Sequence, residues 1–93
     1  MILSFKGKET GKIWNQEISK RYPIDVQKVA LRKLIMIHRA VSINDLRIPP
    51  SNHLKKLKGD RKDQYSIRIN EQLRICFYWK ESNAYEVEII DYH

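Results

Sequence analysis

The sequence predicts an α+β fold in which a short N-terminal strand and two helices pack on an antiparallel β-sheet. Three observations predict it. Apolar residues recur at helical spacing through the first half of the chain, and they alternate with a period of two through the second. Between the halves, Ile48-Pro49-Pro50-Ser51-Asn52 is the only strong punctuation. At 93 residues, with 42% hydrophobic residues and nine aromatics, the chain suits a single domain spanning residues 1–93 with a modest core.

Ile2 to Phe5 reads as the short strand. From Lys8 to Lys20, the positions Ile13, Trp14 and Ile18 predict a first helix, which Tyr22-Pro23-Ile24-Asp25 ends. Asp25 is the expected N-cap of a second helix, whose stripe runs from Val26 through Val29, Ala30, Leu34, Ile37 and Val41. Lys28, Arg32 and Arg39 lie off that stripe. Ser42 followed by Asp45 resembles a capping box, with Asp in place of the usual Glu, and predicts one short extra turn.

In the second half, Tyr65, Ile67 and Ile69 alternate with Ser66, Arg68 and Asn70. After a tight connection at Asn70-Glu71-Gln72, Leu73, Ile75, Phe77 and Trp79 alternate with Arg74, Cys76 and Tyr78. A turn at Lys80-Glu81-Ser82-Asn83 leads to Tyr85, Val87 and Ile89. These are the strands of a meander. Leu54 and Leu57 are three apart, which calls for an irregular or bulged strand before Gly59-Asp60. The face turned away from the helices then carries Ser66, Arg68, Arg74, Tyr78, Glu86, Glu88 and Tyr92.

Several classes of protein are disfavoured. The N-terminal apolar run is too brief for a signal peptide, and Leu34 to Ile37 is too short to cross a bilayer, so a soluble cytoplasmic protein without a membrane role is expected. One cysteine, Cys76, forms no internal disulfide, and with three scattered histidines it builds no zinc site. Eighteen Lys and Arg against eleven Asp and Glu leave a net charge of +7, which suits either a polyanionic partner or solubility alone. The charge is densest in residues 47–74, with eight basic and three acidic residues, whereas residues 75–93 hold one basic and four acidic. Phosphate contacts belong in the middle segment.

On the outer face, cations set among tyrosines suit a phosphate and its bases, although Arg68 paired with Glu86 or Glu88 is the more ordinary outcome. Arg74 has no obvious partner in the pattern and points to function. His38 fits a structural or surface role, and Trp14 and Trp79 fall on apolar stripes and fit the core. No base accompanies Cys76 to make it a nucleophile.

At Asp45-Leu-Arg-Ile-Pro-Pro-Ser-Asn52 the chain begins to resemble a family. The likeness continues through Leu57-Lys-Gly-Asp-Arg-Lys62, Tyr65-Ser-Ile-Arg-Ile-Asn70, Leu73-Arg-Ile-Cys-Phe77 and Val87-Glu-Ile-Ile-Asp-Tyr-His93. Together these motifs resemble the HigB branch of the RelE toxin superfamily, the plasmid maintenance killer proteins. The resemblance implies a compact RelE-like fold with a curved sheet. It implies a toxin that cleaves messenger RNA in the ribosomal A site without a metal ion or other cofactor. It also implies a HigA-type helix-turn-helix antitoxin as partner, with operator DNA met only through the antitoxin complex.

Carried over by position, the resemblance assigns Lys58 and Arg74 to the scissile phosphate and Tyr92 and His93 to the terminal pair, with His93 moving a proton. Some relatives place a His where this chain has Lys55, and here His53 lies two positions earlier. The proton acceptor therefore stays open between another group, Lys55 with a depressed pKa, and weaker catalysis. His53, Lys55, Lys56, Arg61, Lys62 and Arg68 are expected to bind RNA, chiefly by positioning phosphates. Cleavage of this kind needs the 2′-hydroxyl deprotonated, the pentacoordinate phosphoryl group neutralised and the leaving oxygen protonated. A guanidinium suits the second task because it is always charged and grips two oxygens at once. The alternatives are a non-catalytic RNA- or DNA-binding module and an antitoxin-bound co-repressor.

Overall fold

A computed structural model describes residues 1–91; Tyr92 and His93 lie outside the described residues. Its first helix, α1 (Lys8–Trp14), starts after Gly7, whose φ of 85° suits a residue without a side chain. The helix is shorter than the periodicity predicts. Gln16, at φ 59°, turns the chain left-handed and leaves Ile18 76% exposed, while Ile13 is buried in the core. α2 (Ile24–Arg39) follows Pro23, so Asp25 lies inside its first turn rather than at its cap, where its charge still suits the helix dipole. Ala30, Leu34 and Ile37 are wholly buried as the stripe predicts, but Val41 lies past the helix end and is 73% exposed.

The capping box at Ser42 is present. The Ser42 side chain accepts from the Asn44 N–H at 3.2 Å, and the Asp45 carboxylate accepts from the Val41 and Ser42 N–H groups at 2.9 and 3.1 Å. These bonds hold the Asp45 carboxyl below its usual range and start a 3₁₀ turn over Ile43–Arg47. A second 3₁₀ turn, Pro50–Asn52, delivers the chain to the sheet.

The sheet has four antiparallel strands in sequence order: β1 (Lys55–Lys56), β2 (Gln64–Arg68), β3 (Leu73–Lys80) and β4 (Asn83–Asp91). β3 and β4 join through Glu81 and Ser82, both at positive φ, the backbone that matches strand twist in a two-residue hairpin. Asn70 closes the β2–β3 connection by accepting from the Gln72 and Leu73 N–H groups at 2.8 and 2.7 Å. One face, built on Ile67, Ile75, Phe77, Ala84, Val87 and Ile89, packs with α2 into the core. Trp14 and Trp79 pack at its margin, as their stripes predict.

Two expectations about the sheet are corrected. Ile2 to Phe5 forms no strand; it makes isolated parallel bridges, Ile2 to Ala84 and Phe5 to Val87, beside β4. His38 anchors this segment by accepting the Ile2 N–H on Nδ1 at 3.1 Å, a structural use of that histidine. The second correction concerns β4. The register shifts opposite Cys76 to Tyr78, and Glu86 sits at φ 50°. This bulge inserts one extra residue, so Ala84 takes the core side opposite Trp79 and Tyr85 stands opposite Tyr78 on the outer face.

Candidate functional site

The outer face is cationic at one end and neutralised at the other. Register places Arg68 directly opposite Arg74, and Ser66 opposite both Cys76 on β3 and Lys55 on β1. Two guanidiniums facing each other across strands repel, and a bound anion relieves that repulsion. Arg74 is nonetheless only 7% exposed. Its Nε donates to Ser66 Oγ at 2.8 Å, and its Nη2 donates to the Ser66 carbonyl at 3.4 Å and to the His53 carbonyl. These bonds to Ser66 and His53 hold the guanidinium in place against the sheet. Arg68 donates from Nε to the Asn70 carbonyl at 3.1 Å, and not to the Glu86 or Glu88 carboxylate expected for it.

The turn before β1 shapes the wall of this end. His53 leaves the Pro50–Asn52 turn in the left-handed region, at φ 44° and ψ 55°, which aims its carbonyl at Arg74. A cleft of about 310 Å³ results, lined by His53, Lys55, Arg68, Asn70, Glu71 and Arg74. Four sequence-predicted residues thus meet in one place: His53, Lys55, Arg68 and Arg74. A larger cavity, about 560 Å³, adjoins the cleft through Asn70 and runs toward Tyr22 and the end of β4.

Other candidates lie elsewhere. Lys56 is paired with Tyr65, on the face opposite Lys55, and its Nζ sits 6.0 Å from the Tyr65 ring. Lys58 is exposed and precedes the Gly59–Arg61 turn in the β1–β2 connection, with exposed Lys62 just after it. Arg61 crosses the face to Glu88 at 2.8 Å and also meets Gln64 at 3.5 Å. The Glu88 bond raises the Arg61 pKa, so this arginine stays charged and committed to a carboxylate. Beside it, burial pushes the Cys76 thiol up to about 11, which keeps it a neutral, inert filler.

Pattern reading missed the contributions of Ser66 and of the His53 carbonyl. Ser66 stands in the outer-face alternation, and a small hydroxyl opposite a cation row is the available hint. The backbone conformation of His53 has no comparable signature. Among the described residues, no helix is long and apolar enough to cross a membrane.

Comparison with known proteins gives concordant findings. The family model described as the RelE-like toxin of the type II toxin–antitoxin system HigB matches residues 3–93. Toxin HigB-1 of Vibrio cholerae is 35% identical over 85 residues, covering 90% of each chain. Endoribonuclease HigB of Proteus vulgaris is 33% identical over 94 residues and covers both chains fully. Among solved structures, the heterotetrameric YoeB–YefM toxin–antitoxin complex of Staphylococcus aureus contains a chain with the same fold. It aligns at a TM-score of 0.63 and 20% identity, over 100% of this chain and 98% of that one.

Proposed function

This chain belongs to the HigB family of RelE-like toxins of type II toxin–antitoxin systems, and from that premise we propose that it is an endoribonuclease. Its substrate is messenger RNA in the ribosomal A site, and cutting it arrests translation in the cytoplasm. The observation that carries this reading is the cleft where Arg74 and Arg68 face each other beside His53 and Lys55. The name of the Proteus vulgaris relative supports the chemistry. The HigA-type antitoxin is the partner proposed to silence the toxin, and operator DNA is reached through that complex.

In the reaction, the 2′-hydroxyl attacks the adjacent phosphorus, forms a cyclic phosphate and expels the 5′-oxygen. Arg74, preoriented on Ser66 and His53, neutralises the pentacoordinate phosphoryl group, because its positioning is already complete before charge develops. Arg68 and Lys58 add positive charge along the RNA backbone. Among the described residues, His53, Lys55 and Glu71 line the cleft with side chains able to exchange a proton and are the candidates there for acceptor of the 2′ proton. Protonation of the leaving oxygen is assigned to His93, with Tyr92 beside it in sequence.

Primer extension on translated messages after induction tests the proposal. The parent should give discrete stops inside codons, and Arg74→Ala should lower cleavage by about a hundredfold or more while ribosome binding persists. A chain lacking His93 should also be impaired, and EDTA should leave purified activity intact on ribosomes that stay assembled. If the parent yields no cleavage and Arg74→Ala only weakens RNA binding, the protein is a binding module.

A further inference from the structure

Lys33 sits in α2 with its side chain turned inward, and it is only 5% exposed. Burial disfavours its charged form and lowers its pKa, a desolvation cost that a methionine of similar shape would not incur. The ammonium is committed to one bond: Lys33 Nζ donates to Asn52 Oδ1. Asn52 is wholly buried, and its Nδ2 donates to the Leu46 carbonyl at 3.1 Å. The amide is thereby fastened from both ends, to α2 and to the Ile43–Arg47 turn. The next residue is His53, whose left-handed backbone delivers the carbonyl that receives Arg74 Nη2.

We propose that Lys33 is a positioning residue of the cleft, fixing the Arg74 guanidinium through Asn52 and the His53 carbonyl. Lys33 touches no RNA. Its ammonium removes the rotational freedom of the Asn52 amide, and the His53 turn inherits that rigidity. A guanidinium that loses its bond to the His53 carbonyl is less firmly placed, and a misplaced ligand loses most of its advantage in the transition state. The inference rests on the reading of Arg74 as the phosphate ligand, although the linkage of Lys33 to Arg74 is measurable without catalysis.

Lys33→Met separates positioning from folding, since it keeps the apolar stem and removes the ammonium. The expected result is a thermal midpoint at or above the parent's, an unchanged half-saturating ribosome concentration, and a cleavage rate about ten- to a hundredfold lower. The Nε–H resonance of Arg74 should shift and exchange faster with solvent. On an Arg74→Ala background the same substitution should cost nothing more. A folded Lys33→Met with the parent's rate and an unmoved Arg74 Nε–H overturns the proposal. Should Lys33→Met not fold, Lys33→Gln retains a donor for Asn52. A shifted Arg74 Nε–H resonance, with a cleavage rate between those of the parent and Arg74→Ala, then supports the linkage, and parent values for both overturn it. If Arg74→Ala itself leaves cleavage intact, the nuclease reading of the cleft fails, while the resonance still decides whether Lys33 orients the guanidinium.

Discussion

Arg61 and Arg74 occupy the same side of one sheet under opposite electrostatic regimes. Arg61 ends on the Glu88 carboxylate at 2.8 Å, above a buried neutral thiol, so that half of the face is balanced within the protein. Arg74 donates to the Ser66 hydroxyl and carbonyl oxygens and faces Arg68 across the strands. Both arrangements hold a guanidinium in place, and at the second a like charge, Arg68, stands across the strands where the first has a carboxylate. The comparison teaches that basic residues on this face are not equivalent and that counting them overstates the binding surface.

Three measurements sharpen or break that contrast. The largest effect is expected at the open end: Arg68→Gln should reduce cleavage about tenfold and lower the salt dependence of RNA binding by about one phosphate contact. An unchanged salt slope would show that Arg68 serves the sheet and not the ligand. An intermediate effect concerns Cys76. Its thiol keeps its proton to about 11 in the folded protein, whereas an unfolded cysteine loses it near 8.5. The stability this gives is complete below the unfolded value and is lost as pH rises through the folded one. Cys76→Ser should therefore flatten the alkaline limb of a stability–pH profile, and the native thiol should resist alkylation at pH 8. The smallest effect is at the closed end, where Arg61→Ala should change stability by less than about 1 kcal/mol, because the pair is partly solvated. Cleavage should stay near the parent's, and a large loss there would dissolve the distinction between the two ends.

Much of this was legible from residue order. Ala30, Leu34 and Ile37 on one stripe, the Ser42–Asp45 box and the meander through Trp79 follow from periodicity and capping alone. Likewise, the alternation that puts Ser66, Arg68 and Arg74 on the outer face follows from a period of two. The misses share a cause. Glu86 absorbs an extra residue at positive φ, and a glutamate carries no signal for that; one bulge was enough to move Tyr85 to the other face. Ile18 and Val41 fit helical spacing but fall beyond the actual helix ends. Arg61 meets a carboxylate 27 positions away, and Lys33 an amide 19 away, through tertiary contacts that no local window contains.

The margins of the sheet have their own consequence. Along β4, the residues from Met1 to Ser4 occupy backbone groups: the Met1 carbonyl receives the Ala84 N–H at 2.9 Å, and the Ser4 carbonyl receives the Val87 N–H at 3.1 Å. At the opposite margin, β1 offers just two lysines. Among the described residues, neither border presents a long run of unsatisfied amides, so strand-by-strand growth into fibrils has little template there. Both borders thereby discourage edge-to-edge pairing between copies of the chain.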